Sequence, residues 1–238
     1  YGNSGIGKSV FLQYLSSPDV WQQRGIDYTK FFIIFINCEG IYPFTASQFW
    51  REVLGLLREQ VSQETPLYSE IERLLQQANI LTKELRSILQ KIGGQDKYLL
   101  LLIDDYDVAL KPNESYTQEE IVGFLREFRD LAVHRQEGRY LSTIVTSFRR
   151  INELGPQVEG GSPWYNYYFF QLLKPFSQEE VISLFFRENA PLYIPVSVDC
   201  RLGIIQITVG HPSLIQIFGY LLYYYRQNNE LSIITRLM

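Results

Sequence analysis

Three short apolar runs constrain this chain most. Phe31 to Asn37 reads FFIIFIN, Tyr98 to Ile103 reads YLLLLI, and Leu141 to Ser147 reads LSTIVTS. The first two, seven and six residues rich in branched or aromatic side chains with little polar alternation, suit strands buried on both faces of a parallel sheet, and the third reads as a further strand. The segments between them carry helical signals. Ile71, Leu74, Leu75, Ala78, Leu81, Leu85, Ile88, Leu89 and Ile92 keep a 3.6-residue period up to Gly93-Gly94, in the second of two helical pieces separated near Pro66. Thr117-Gln-Glu-Glu120 is a capping box opening a helix that the pattern carries to about His134. Tyr167 to Leu172 (YYFFQL) reads as a fourth strand, after a Gly/Pro-rich loop at 155–163. Strands alternating with helices predict an α/β fold with a mainly parallel sheet covered by helices on both faces.

Texture changes at Pro175. A second capping box, Ser177-Gln-Glu-Glu180, opens a helix expected to reach about Asn189, and no further strong strand follows. Residues 202–209 and 212–225 read as helices. The expected division is an α/β core over 1–175 and a small helical domain over 176–238.

The chemistry is concentrated at the start. Gly2-Asn3-Ser4-Gly5-Ile6-Gly7-Lys8-Ser9 fits G-x-x-x-x-G-K-[ST], and from Val10 the chain reads as a helix. Glycines let the backbone turn tightly and aim successive N–H groups at phosphate oxygens, and the following helix adds its positive N-terminal field. In such a loop Lys8 reaches the β- and γ-phosphates and the Ser9 hydroxyl ligates Mg²⁺. At average composition the pattern arises by chance in a chain of this length with a frequency on the order of 1%. A Gly-rich turn before an ordinary helix is therefore the weaker reading. Residues Gly2 to Val10 are the expected nucleotide cradle.

Asp104 and Asp105 end the second apolar run. A carboxylate at the carboxyl end of a buried parallel strand lies where α/β proteins bind ligands. Asp104 is expected to hold Mg²⁺ through water and Asp105 to polarise an attacking water. The bland alternative, a loop or cap pair, would win without the phosphate loop upstream. Asp107 reads as a solvated loop acid. Thr146 or Ser147, closing the third run, is similar to the polar strand-end residue that in one large division of P-loop ATPases touches the γ-phosphate or the water, and a plain strand-end hydroxyl explains it equally well. Arg149 or Arg150 could read the γ-phosphate with a forked guanidinium, against the alternative of a solvated pair. The aromatic clusters at 164–170 and 223–225 read as core and interface residues rather than as base-stacking platforms.

These residues suggest a family. GNSGIGKS, LLLLIDDYD, IVTS followed by FRR, LLKPFSQEEV and VGHPSLIQIFGYLL resemble, over nearly the whole chain, AAA-like P-loop ATPases of the STAND and archaeal-ATPase group. The resemblance implies a three-layer P-loop core and a C-terminal helical lid. It implies ATP/ADP and Mg²⁺ as cofactors, ATP rather than GTP, and hydrolysis used as a regulatory switch. It places Pro212 of Gly210-His211-Pro212, and less directly His211, near the adenine or ribose. A plain helix start with Pro in its first turn explains the same three residues equally well. In the family a strand precedes the loop. This chain opens on Tyr1 and its one Met is Met238, which predicts a piece of a longer protein lacking that first strand. Other domains of that longer chain, protein partners or further copies are the partners the resemblance implies.

Two other functions fit the residues. One is a cycling AAA-type or DNA-associated ATPase. The net charge of −4 argues against bulk nucleic-acid binding. The other is a nucleotide-binding module without hydrolysis, since Asp105 is shorter than the commoner Glu. Two Cys and two His give little material for a zinc site or a nucleophile triad. No run approaches a membrane span, and a reduced, cytoplasmic protein is expected.

Overall fold

The computed structural model describes residues 1–156, 163–185 and 198–227. Their helices and strands run α1 (Lys8–Ser16), α2 (Pro18–Gln23), β1 (Phe31–Asn37), α3 (Ala46–Glu59), α4 (Pro66–Leu75), α5 (Leu85–Gly93), β2 (Tyr98–Asp104), α6 (Gln118–Arg129), β3 (Leu141–Val145), α7 (Ile151–Leu154), α8 (Gln178–Phe185), α9 (Val198–Thr208) and α10 (Pro212–Gln227). Short 3₁₀ turns and one π-helical turn link several of them.

The three apolar runs form a parallel sheet in the order β1-β2-β3. Alternation of side chains sorts β1 and β2 onto two covered faces, while β3 leaves Ser142 and Ile144 exposed. Phe32, Ile34, Ile36, Leu99, Leu101 and Ile103 join the large core under α3, α4, α5 and α6. Ile33, Leu100 and Leu102 pack with Leu12 of α1 on the opposite face, flanked by Trp21 and Phe35. Sheet and two helical layers make three layers, compatible with a P-loop NTPase fold. Phe44, Phe49, Trp50, Tyr116, Phe124 and Phe128 fill the large core with tilted and edge-on ring pairs. Both capping boxes form. Thr117 Oγ1 accepts from the Glu120 amide, and the Glu120 carboxylate accepts from the Thr117 amide at 2.7 Å. Ser177 and Glu180 exchange the same two bonds.

The structure departs from the sequence pattern in three places. The helical period through Ile71–Ile92 is two helices, not one. The Arg51 guanidinium takes the carbonyls of Leu75 and Gln77, both at 2.7 Å, and that of Ala78. The Ser47 hydroxyl takes the Ile80 amide, and Trp50 Nε1 donates to the buried Thr82 hydroxyl. Backbone groups that would have continued the helix are satisfied by α3 instead. Second, the helix predicted to reach His134 leaves α-geometry after Arg129 and finishes in a π-helical turn, Asp130–His134. Third, Tyr167–Leu172 is not a strand. It begins in a turn, and the Gln171 carbonyl is taken by the Tyr1 nitrogen rather than by a ladder. β-propensity alone does not make a strand. Residues 157–162 of the predicted 155–163 loop, and the end of the helix predicted to Asn189, lie outside the described residues.

Contacts divide the chain into two compact units. One is Tyr1 with Lys8–Gln171; the other is Gly2–Gly7 with the described residues from Leu172 onward. No helix among the described residues is long and apolar enough to cross a membrane.

Candidate nucleotide site

In the first unit the parallel register brings the strand ends together. Asn37 of β1 pairs in register with Asp104 of β2, and Ile103 pairs with Val145 of β3, so Thr146 lies beside Asp104. The Thr146 amide donates to the Ile103 carbonyl at 2.8 Å, and the Tyr106 amide to the Thr146 carbonyl at 2.8 Å. These bonds extend the ladder past the end of β3 and fix the Thr146 side chain. Its hydroxyl donates to Asp104 Oδ1 and accepts from the Asp105 amide at 3.2 Å. Asp104 is buried, and its Oδ2 has no hydrogen-bond partner. A buried carboxylate oxygen without a partner is costly unless a cation or its water completes it. That fits Asp104 as an acid for Mg²⁺, reached through water.

Asp105 is held in the left-handed region at φ 50°, ψ 43°. For a residue with a Cβ this conformation costs free energy and is kept only where the surroundings fix it. Asn37 Nδ2 donates to Asp105 Oδ2 at 3.3 Å. Partial burial, then the charges of Asp104, Glu39 and Asp107, push the Asp105 carboxyl above the ordinary range, and the Asn37 bond pulls it down. Asp107, expected as a solvated loop acid, instead lies mostly covered in the 3₁₀ turn Tyr106–Leu110 and pairs with Lys111 at 3.1 Å. Cys38, next to Asn37, is buried, and burial with the neighbouring acids pushes its thiol up, away from reactivity.

Lys8 and Ser9 open α1, the helix whose Leu12 seals one face of the sheet. Ser147, also buried, donates to the Arg149 carbonyl at 2.5 Å. The Arg149 guanidinium is exposed, 5.8 Å from the Phe148 ring centroid. Arg150 donates to the Tyr1 hydroxyl at 2.9 Å and is thereby committed locally.

In the second unit the loop is a turn with Gly5 at φ +71° and Gly7 at φ +98°. The Ile6 amide donates to the Asn3 carbonyl at 3.4 Å. A Cβ on Gly5 would collide with the Ser213 side chain and meet His211 Cε1 at 3.1 Å. Ser213 Oγ donates to the Gly5 carbonyl at 2.8 Å. Pro212 begins α10, and His211 Nδ1 is buried without a partner. His211 and Ser213 therefore lie against Gly5 of the loop. Gly210 sits at φ +73° with its backbone against that of Phe176, whose amide donates to the Gly210 carbonyl at 2.9 Å.

Two participants were not foreseen from sequence, Asn37 and Ser213. Asn37 carried the same signal as Asp104, a polar residue closing an apolar run. Ser213 carried none beyond its place next to Pro212. Among the described residues no group of three or more His, Cys, Asp or Glu side chains could hold a metal. Mg²⁺ here would rely on Ser9, Asp104, water and phosphate oxygens.

The parallel sheet with an acid at the end of its central strand is compatible with a P-loop NTPase-like fold. Among solved structures, the Walker-type ATPase PABY2304 of Pyrococcus abyssi superposes with a TM-score of 0.53 at 16% identity, over 99% of this chain. At that identity the likeness is one of fold. The chain spans 66% of the length of that neighbour. No protein-family profile matches the chain, and no curated protein matches it.

Proposed function

We propose that this chain binds ATP with Mg²⁺ and hydrolyses it, as a STAND-like regulatory switch. The observation that carries the reading is the orphaned Oδ2 of Asp104, whose Oδ1 accepts from Thr146 at the end of β2, in a chain that carries a phosphate-loop motif. Gly2 to Gly7 would wrap the phosphates with backbone N–H groups, and Val10 would continue the helix whose N-terminus faces them. The Lys8 ammonium would neutralise charge on the β- and γ-phosphate oxygens. Ser9 and Asp104 would hold Mg²⁺, which when bound screens the phosphate charge and polarises the γ-phosphoryl group. Asp105 would accept a proton from the attacking water, and Asn37 would orient the carboxylate. Thr146 would keep Asp104 aimed and sense the phosphate end. Arg149, exposed and without an ion pair among the described residues, would meet the γ-phosphate charge.

The regulatory part rests on the contact between Ser213 and Gly5. A helical lid, with residues 176–238 as its domain and 1–175 as the core, would grip the glycine loop in one nucleotide state and release it in another. Pro212 and His211 would lie near the adenosine. Partners would be other domains of a longer chain, other proteins or further copies, in the cytoplasm; nothing in the residues favours nucleic acid. A second reading, nucleotide binding without turnover, is favoured by one feature. The Asp105 side chain is short, its backbone is held in the left-handed region, and its carboxylate already accepts from Asn37.

The test is to purify the protein, denature it and identify the released nucleotide, then to measure phosphate release from ATP. Bound ADP with slow turnover supports the switch. Lys8→Ala should remove bound nucleotide. Asp105→Asn should retain binding and lower turnover about 100-fold or more, within the range general-base loss produces. Turnover unchanged in Asp105→Asn would remove that residue from the chemistry, and wild-type protein that binds ATP without phosphate release would establish the second reading.

A further inference from the structure

A 320 Å³ cavity in the first unit is lined by Lys83, Arg86, Arg126, Glu127, Asp130, Leu131 and Arg135. It draws on the 3₁₀ turn at Thr82–Glu84, the first turn of α5, the last turn of α6 and the π-helical turn beyond it. Four cations around one hollow are unexpected on a chain of net charge −4. Two of them are fixed by acids. Arg135 Nε holds Asp130 at 2.6 Å, and Arg86 holds Glu137 at 3.3 Å, with Gln90 donating to the same Glu137 oxygen at 2.6 Å. The other two, Lys83 and Arg126, are exposed and make no ion pair among the described residues. Against them stands one acid of the lining without an ion pair, Glu127, so the hollow keeps a positive excess.

The backbone around the cavity is specifically shaped. The α6 helix would have ended in ordinary α-geometry. Instead it runs on into the π-helical turn, which carries Asp130 and Leu131 of the lining, and Arg135 follows directly. Gly138 closes tightly behind the turn, where a Cβ would collide with the carbonyls of Leu131 and Ala132. This segment joins β2 to β3, the strands that end in Asp104 and lead to Thr146.

Small-molecule sites run from about 300 to 1,000 Å³ and are mostly apolar. This cavity is at the small end and has one apolar lining residue, so it suits a compact, multiply charged anion. Guanidinium forks match pairs of phosphate oxygens, and an ammonium adds a point charge. We propose that this cavity is a second anion site, built from residues outside the phosphate loop, which takes a small phosphate-bearing ligand of the pyrophosphate or phosphomonoester class. The site stands independently of nucleotide binding at the glycine loop.

The test titrates pyrophosphate into the Lys8→Ala protein by calorimetry at about 50 mM salt, where exposed charge pairs are least screened. One equivalent is expected to bind. The further double change Lys83→Gln/Arg126→Gln should weaken it about tenfold or more, because charge-assisted bonds to phosphate are lost. The change Arg24→Gln/Lys174→Gln removes the same charge elsewhere and should leave binding within about twofold, as expected of a local site. Both pairs are exposed, and circular dichroism checks that the fold is kept. No binding to Lys8→Ala protein would overturn the proposal. So would equal binding by the Lys83/Arg126 variant, or an equal loss in the Arg24/Lys174 control.

Discussion

The helices over the sheet and the helices at the C-terminal end use similar side chains to opposite effect. In α3 to α6 the apolar stripe is almost wholly covered. Phe49, Trp50, Leu54, Leu57, Leu67, Ile71, Leu74, Ile88 and Phe128 are all buried. In α8 to α10 a few positions are buried, Val181, Ile204, Ile215 and Leu222 among them. Leu214, Ile217, Tyr220, Leu221 and Tyr224 form a stripe on α10 at helical spacing, and all are exposed, Tyr220 at 66%. Periodicity says that a helix has an apolar face; only the neighbours decide whether that face leaves water.

The largest expected effect sharpens this contrast directly. Trp50→Ala should destabilise the fold by about 3–5 kcal/mol, through a cavity and the loss of the Thr82 bond. Tyr220→Ala should change stability by no more than about 0.5 kcal/mol. Chemical denaturation of both variants checks it, and comparable losses would break the comparison. Next is Gly210→Ala. The residue needs a left-handed backbone and close contact with Phe176, so a loss of about 2 kcal/mol is expected, in amide exchange around α9 and α10 if those helices open separately. Protection unchanged from wild type would mean the turn tolerates a side chain.

The smallest effect belongs to the first unit's surface. Arg73 and Ser87 hold the Glu70 carboxyl down to about 2, from an ordinary value of 4.5. A depressed carboxylate contributes stability that is present above its unfolded value and lost as pH falls toward its folded one. Wild type should therefore lose this contribution between pH 4.5 and about 2. Glu70→Gln should flatten the acid-unfolding profile in that window and leave neutral stability slightly lower. An unchanged profile would show that the exposed Arg73 guanidinium contributes little.

β1 and β2 were legible because burial on both faces leaves a run with no polar alternation, whereas β3, with Ser142 and Ile144 exposed, was legible only from its β-branched residues. The caps were legible because their bonds span three residues. Asp104 was legible as a site candidate, since an acid closing an apolar run marks a strand's carboxyl end. Its hydrogen bond from Thr146 was not, because 42 residues separate them in sequence and only the β2–β3 register joins them. The break between α4 and α5 was hidden for the same reason. Its apolar phase runs on unbroken, and what stops the helix is Arg51, more than twenty residues earlier in the chain. Tyr167–Leu172 has the composition of a strand and lacks the ladder.

By itself, then, the sequence determined what depends on local spacing: the α/β alternation, the glycine loop running into a helix, the acids at a strand end and the two capping boxes. Tertiary structure decided what depends on distant partners: where long helices stop, which apolar faces are covered, how Asn37 and Thr146 hold the acid pair, and how Ser213 meets Gly5. The division is physical. Backbone propensity and capping act over three or four residues, whereas burial and the satisfaction of isolated polar atoms are fixed only when separated segments meet.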